Sequence, residues 1–258
     1  MTMLTGCGQP PHTQQASTQD DSATTMPISE EQLAARIADM MEQDAMQQRM
    51  QWETILKEQA TDSTQVEQIA EWAEDYLSDP NSPLRNEDCF IIFLECLLHH
   101  PQLTEAQKSR TTYQLEMAQK NRPGTIATNF TYRSRDGKPH TLHQLSSPLT
   151  LLVFYSPDCT HCQQILNLVY ASEWTHVPTL KVLAVYTEGD HALWERTQDD
   201  MPADWIVGID ESEIVQNKLY DLPAMPVMYL LDADKRVILK DPNPQTLELA
   251  LASRQAKP

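Results

Sequence analysis

Apolar positions along the chain follow two regimes that meet near residue 122. From residue 28 the spacing is helical. In "ISEEQLAARIADMMEQ", Leu33, Ile37, Met40 and Met41 share one face, and Ser29 followed three residues later by Gln32 has the form of a capping box. "STQVEQIAEWAEDYL" repeats the pattern with Val66, Ile69, Trp72, Ala73, Tyr76 and Leu77. "DPNSPLRNED" interrupts the chain, and two further helices are predicted over 87–99 and 104–121. Together these make an all-helical unit over 28–122, in which the Met-rich stripe reads as core. "NRPGT" at 121–125 is a helix stop and marks the boundary.

Beyond that boundary the period shortens. "NFTYRSRDGKPHTLHQL" predicts a hairpin turned at Asp136-Gly137, and "LTLLVFY" and "LKVLAVY" are continuous apolar runs of the buried parallel type. "WIVGID", "PVMYLLD" and "RVILKD" supply more strands, with helices predicted at about 160–174, 190–199, 211–219 and 245–253. The order of elements over 123–258 predicts an α/β unit, a central mixed sheet with helices on both faces.

Composition adds a third region. Residues 1–27 hold few large apolar side chains after Leu4, so they bury too little surface to offset their ordering entropy and are expected to form a disordered tether. Within them "LTGC" resembles a bacterial lipobox, in which the cysteine, here Cys7, is lipidated. Only six residues precede Cys7, too few for a signal sequence, so either the true start lies upstream or the match is chance. The expectation taken is a lipid anchor at Cys7, the chain's sole attachment to a membrane. Charge narrows the partners. Lys and Arg number 19 against 37 Asp and Glu, a net charge of −18, with 8 basic against 20 acidic side chains over 1–122 and 11 against 17 over 123–258. Such a surface repels phosphate backbones and argues against a nucleic-acid partner.

The five cysteines are Cys7, Cys89, Cys96, Cys159 and Cys162. An odd number in a chain of this length is no disulfide framework. Cys89 and Cys96 are seven residues apart on one predicted helix, about 10.5 Å of rise, too far to be bridged. They read as small buried apolar residues. The apolar stretch around them, Phe90 to Leu98, is too short to span a bilayer. His99 and His100 end the same helix, where the dipole favours a cation, and they read as that rather than as metal ligands.

"SPDCTHCQQI" is the chemically loaded stretch, because it places Cys159 and Cys162 between a buried strand and a helix. Three readings compete: a redox couple, half a metal site, or two inert thiols. At a helix N-terminus, unpaired N–H groups and the positive end of the dipole stabilise a thiolate, which makes Cys159 the natural nucleophile. Cys162, nearly one turn on, lies deeper and can resolve a mixed disulfide formed at Cys159. His161 between them adds positive charge when protonated, and the Thr160-His161 pair should make the disulfide more oxidising than a neutral Gly-Pro pair would. Asp158, directly before the nucleophile, opposes its anion. Structural zinc needs four ligands and the α/β half offers no further cysteine. A c-type haem needs His after the second cysteine, where this chain has Gln163. A copper carrier that uses the pair alone stays open, and no resident metal or cofactor is called for.

Taken together, "LLVFYSPDCTHCQQI" and "LYDLPAMPVMYLLDADKRVILKD" resemble the thioredoxin-like superfamily, in particular envelope thiol-disulfide oxidoreductases of the TlpA type, over about residues 124–255. The resemblance implies a cis-proline at Pro226 facing the cysteines, with Met225 offering backbone groups to an extended substrate. It also implies a periplasm-facing location, cysteine-containing envelope proteins as substrates, and a membrane thiol donor or acceptor as partner. The chain departs from the family at two places. Asp158 stands where Trp is usual, and Val153 where thioredoxin itself has a buried acid, so proton transfer at Cys162 must use another group or water. The helical half, through "YLSDPNSPLRNEDCFIIFLECLL" and "RTTYQLEMAQKNRPGT", resembles an uncharacterised domain that precedes such folds in envelope proteins of Gram-negative bacteria. The competing reading keeps the fold but makes it a non-catalytic binding or copper-handling module.

Overall fold

The structure, a computed structural model, describes residues 27–255. Cys7 and all of the expected tether except Pro27 lie outside the described residues. Five helices come first: α1 (Glu30–Met40), α2 (Ala45–Gln59), α3 (Ser63–Leu77), α4 (Glu87–Leu98) and α5 (Glu105–Ala118). Ser29 and Gln32 form the predicted capping box, and Leu33, Ile37 and Met40 are fully buried. Helix α4 is apolar around most of its circumference and accordingly packs against α2, α3 and α5 at the centre of the half. Trp52 of α2 meets Phe93 of α4 with ring centroids 4.7 Å apart.

Helix α2 is an addition to what the apolar pattern predicts. Only Trp52, Ile55 and Leu56 form its apolar stripe, and the other buried positions hold Gln48 and Gln59. Both amides are satisfied there: Gln48 Nε2 donates to the carbonyls of Met40 and Gln43 at 3.0 and 3.1 Å, and Gln59 Oε1 accepts from the Ile28 amide at 2.9 Å. Polar residues in core positions erase the helical period from the sequence.

The second half forms a seven-stranded mixed sheet. Its strands are β1 (Thr131–Ser134), β2 (Pro139–Thr141), β3 (Leu149–Tyr155), β4 (Leu180–Tyr186), β5 (Ile206–Asp210), β6 (Val227–Leu231) and β7 (Val237–Lys240), in the order β2-β1-β5-β4-β3-β6-β7. Strands β3, β4 and β5 are parallel, and the remaining pairings are antiparallel. Strand β3 is central and buried on both sides, Leu151, Val153 and Tyr155 joining one core and Leu152 and Phe154 the other. The first core is covered by α6 (Thr160–Ala171), α7 (His191–Thr197) and α8 (Pro244–Gln255). The second is covered by Ala127 and Phe130, a 3-10 turn at Leu142–Gln144, and the segment that holds Ile214 and Tyr220. The predicted hairpin turns at Asp136-Gly137, with Gly137 at φ +72°. Gly208 of β5 is needed for a close approach, since a Cβ there would sit 2.5 Å from the Tyr132 ring.

The helix expected at 211–219 does not form. The Asp210 carboxylate accepts from the amides of Ser212 and Ile214, both at 2.7 Å, and Glu213 and Lys218 take positive φ. Local side-chain bonds of this kind offer the backbone an alternative to a helix, and the segment becomes a run of turns that still buries Ile214 and Tyr220.

Polar bonds join the halves. Lys240 Nζ at the end of β7 is buried, lies 2.5 Å from Glu87 Oε1 at the start of α4, and donates to the Ala118 carbonyl at 3.0 Å. Burial pushes the Glu87 carboxyl up and Lys240 pulls it back down in part. Arg85 pairs with Asp241 at 2.6 Å, Lys218 reaches Glu116 at 3.5 Å, and Asn121 Nδ2 donates to the Leu219 carbonyl at 2.9 Å.

Candidate active site

Strand β3 runs out of the core at Tyr155, and the chain turns through Ser156, Pro157 and Asp158 into α6, whose N-cap is Cys159. The cysteine caps as a serine or aspartate would: its Sγ accepts from the Cys162 amide at 3.1 Å. Cys159 is therefore held at the helix N-terminus, half-buried, with the Cys162 N–H on its sulfur. Its Sγ also lies 3.8 Å from the Met225 carbonyl oxygen. The Met225–Pro226 peptide bond is cis, as the resemblance implies.

Cys162 has a different environment. It is fully buried, and both thiols are free in the structure. Burial first, then the hydrogen bond with Cys159, pushes the Cys162 thiol up to about 12. At neutral pH Cys162 thus holds its proton, and depth separates the surroundings of the two thiols. Val153, beneath the site on β3, is fully buried and apolar.

The other sequence-derived residues separate into two places. His161, Met225 and Pro226 line one groove of about 700 Å³. Asp158 lines a second recess of about 390 Å³ on a different side, with Tyr155, Gln163 and Tyr170. Thr160 is exposed in the first turn of α6. The groove also has members that sequence reasoning missed: Asp79, Asn81 and Arg85 from the α3–α4 loop, and Asp241 after β7. In the sequence, "DPNSPLRNED" reads only as a chain break. Among the described residues, no group of three or more His, Cys, Asp or Glu side chains is placed to hold a metal ion.

Comparison with solved structures decides the family. A thioredoxin-like protein from Bacteroides caccae matches with a TM-score of 0.81 and 32% identity, over 88% of this chain and 83% of its own. The chain belongs to the thioredoxin-like proteins. The thioredoxin-like half follows a region, residues 17–121, matched by a family model described as a domain of unknown function, DUF5106. The C-terminal domain of an uncharacterized protein from Bacteroides fragilis is 39% identical with a TM-score of 0.49, over 51% of this chain and 98% of its own. A domain of a possible thiol-disulfide isomerase from Cytophaga hutchinsonii is 23% identical with a TM-score of 0.47, over 53% of this chain and 95% of its own. No curated protein matches the chain significantly. Among the described residues, no helix is long and apolar enough to cross a membrane.

Proposed function

We propose that this thioredoxin-like protein is a thiol-disulfide oxidoreductase of the bacterial cell envelope, of the TlpA type, acting through the Cys159-Thr160-His161-Cys162 couple on cysteine-containing proteins. One observation carries the reading: Cys159 Sγ sits at the N-cap of α6, 3.8 Å from the Met225 carbonyl, while Cys162 lies buried one turn inside and holds its proton. In the reductive direction the Cys159 thiolate attacks one sulfur of a substrate disulfide. A Cys159–substrate bond forms, and the other substrate sulfur leaves as a thiolate that takes up a proton from solvent. Cys162 then gives up its proton and attacks Cys159 Sγ. The protein disulfide forms, the second substrate sulfur departs and is protonated, and two electrons have passed from the Cys159/Cys162 pair to the substrate. Run backwards, the same steps oxidise a dithiol. A membrane thiol donor or acceptor resets the couple. His161 supplies charge beside the nucleophile, Met225 and Pro226 position the substrate strand, and a lipid at Cys7 holds residues 28–122 and 123–258 at the membrane surface as helical and exchange domains.

Trapping tests this. Cys162→Ser leaves attack intact and removes escape, so it should accumulate covalent mixed disulfides with envelope proteins that reductant releases, whereas Cys159→Ser should trap almost none. Equal trapping by the two variants, or trapping by Cys159→Ser alone, contradicts the assignment. Absence of trapping by either favours a binding module.

A further inference from the structure

The groove beside Cys159 is not built from the sheet half alone. Its apolar lining includes Ile165, Met225, Pro226 and Met228, and Asp79 and Asn81 reach it from the loop that joins α3 to α4. That loop is held in place. Asp79 Oδ1 accepts from the Asn81 amide at 2.7 Å, Ser82 Oγ donates to the Tyr76 carbonyl at 2.6 Å, and Pro80 and Pro83 each fix a backbone angle. Arg85 anchors its end to Asp241 at 2.6 Å, and the Lys240–Glu87 pair, buried on the lysine side and half-buried on the carboxylate side, involves neighbouring residues of both segments. A wall ordered before binding imposes no ordering cost on the complex.

Its charge follows from the same pairs. Arg85 and Asp241 neutralise one another, which leaves exposed Asp79 as the remaining carboxylate of the lining and the exposed His161 imidazole as its other ionisable group. The half that carries it has 18 acidic against 8 basic side chains over residues 27–122. An open groove that presents a backbone carbonyl beside the nucleophile suits an extended chain, whose main chain pairs while its side chains enter the flanking space. Resting on the exchange reading above, we infer that the α3–α4 loop is the second wall of the substrate groove, and that Asp79 selects extended polypeptide segments with a basic side chain near the reacting cysteine. The helical half is then a specificity element for the exchange domain. Electrostatic selection of this kind acts between exposed groups and is screened by salt.

The test uses the full-length protein with dithiothreitol as reductant, at about pH 8, above the ordinary imidazole range. Two disulfide-bonded peptides are compared, identical except for Lys or Glu a few residues from the cysteine, with hydroxyethyl disulfide as an uncharged small substrate. The wild type should have a kcat/KM for the Lys peptide about fivefold above that for the Glu peptide, a preference that shrinks towards unity in about 0.5 M salt. Asp79→Lys should invert the ratio. Because the ratio is taken within one preparation, partial loss of folded protein cancels. An equal ratio in wild type and Asp79→Lys overturns the inference while leaving exchange standing. Failure of the wild type to reduce either peptide or hydroxyethyl disulfide overturns the exchange reading itself.

Discussion

Helix α4 carries Cys89 in its first turn and Cys96 in its last, both buried, whereas α6 is capped by Cys159 and holds Cys162 in its first turn. In α4, burial pushes both thiols up, Cys96 to about 11, and the Trp52 indole N–H meets Cys89 Sγ at 3.4 Å in the middle of the core. In α6 the inner cysteine, Cys162, shares that fate. The outer one is half-buried, accepts a backbone N–H, and lies 3.8 Å from the carbonyl of Met225, which lines the groove. Cys89 and Cys162 are each the third residue of a helix and both are fully buried, so what sets Cys159 apart is its place at the N-cap with part of its surface open. A cysteine at the N-cap meets unpaired N–H groups and solvent, and a cysteine on the packed face of a helix is shut off from solvent.

The largest way to break the comparison is to exchange sulfur for oxygen in each pair. Cys159→Ser should lower disulfide reduction by on the order of 10³-fold or more, the scale on which removal of a nucleophile is felt. Cys89→Ser should leave the exchange rate unchanged and cost about 1–2 kcal/mol of stability in denaturant titration, since it puts a hydroxyl in an apolar site. The contact between halves is next in size. Lys240→Met leaves Glu87 partly buried without its cation and should cost about 3 kcal/mol, the lower part of the range for breaking a buried pair, because Glu87 keeps some exposure. The double variant Lys240→Met/Glu87→Gln should recover most of that loss. Equal stability of the single and double variants would show that the pair does not join the halves.

A third prediction concerns alkaline pH. The buried thiols of Cys162 and Cys96 titrate above their ordinary value of 9.0, at about 12 and about 11, so the unfolded chain releases these protons first. The stability they contribute is fully present below pH 9.0 and is lost as pH rises towards their folded values, at up to about 1.4 kcal/mol per pH unit for each group. The melting temperature of the reduced protein should fall above that pH, and Cys162→Ala should flatten the decline. The smallest effect lies at the first helix. Ser29→Ala removes the side-chain bond to the Gln32 amide and should cost about 1 kcal/mol in the helical half, with no change in exchange rate.

How much of this was legible in sequence differs between the halves for physical reasons. Helices α1, α3, α4 and α5 announce themselves through apolar period and caps, and β3 and β4 through continuous apolar runs rich in β-branched and aromatic residues, of the kind a strand buried on both faces carries. Helix α2 was hidden because Gln48 and Gln59 occupy core positions and are satisfied by backbone partners that no local pattern reveals. The segment at 211–219 misled because its apolar spacing suits a helix while the Asp210 carboxylate closes turns instead. The cysteine pair was readable because its geometry is local, strand then N-cap then helix. The groove wall was not, since Arg85 and Asp241 are 156 residues apart and meet only when the two halves pack.

The claim on which the rest depends is that depth along α6 makes the two cysteines unequal. It can be measured directly by treating the reduced full-length protein at about pH 7 with limiting iodoacetamide and mapping the modified peptides over time. The account predicts that, among the four described cysteines, Cys159 is alkylated about tenfold or more faster than Cys162, Cys89 and Cys96, and that unfolding in denaturant removes the difference. Labelling of Cys162 at the same rate as Cys159 in the folded protein, or ahead of it, would contradict it.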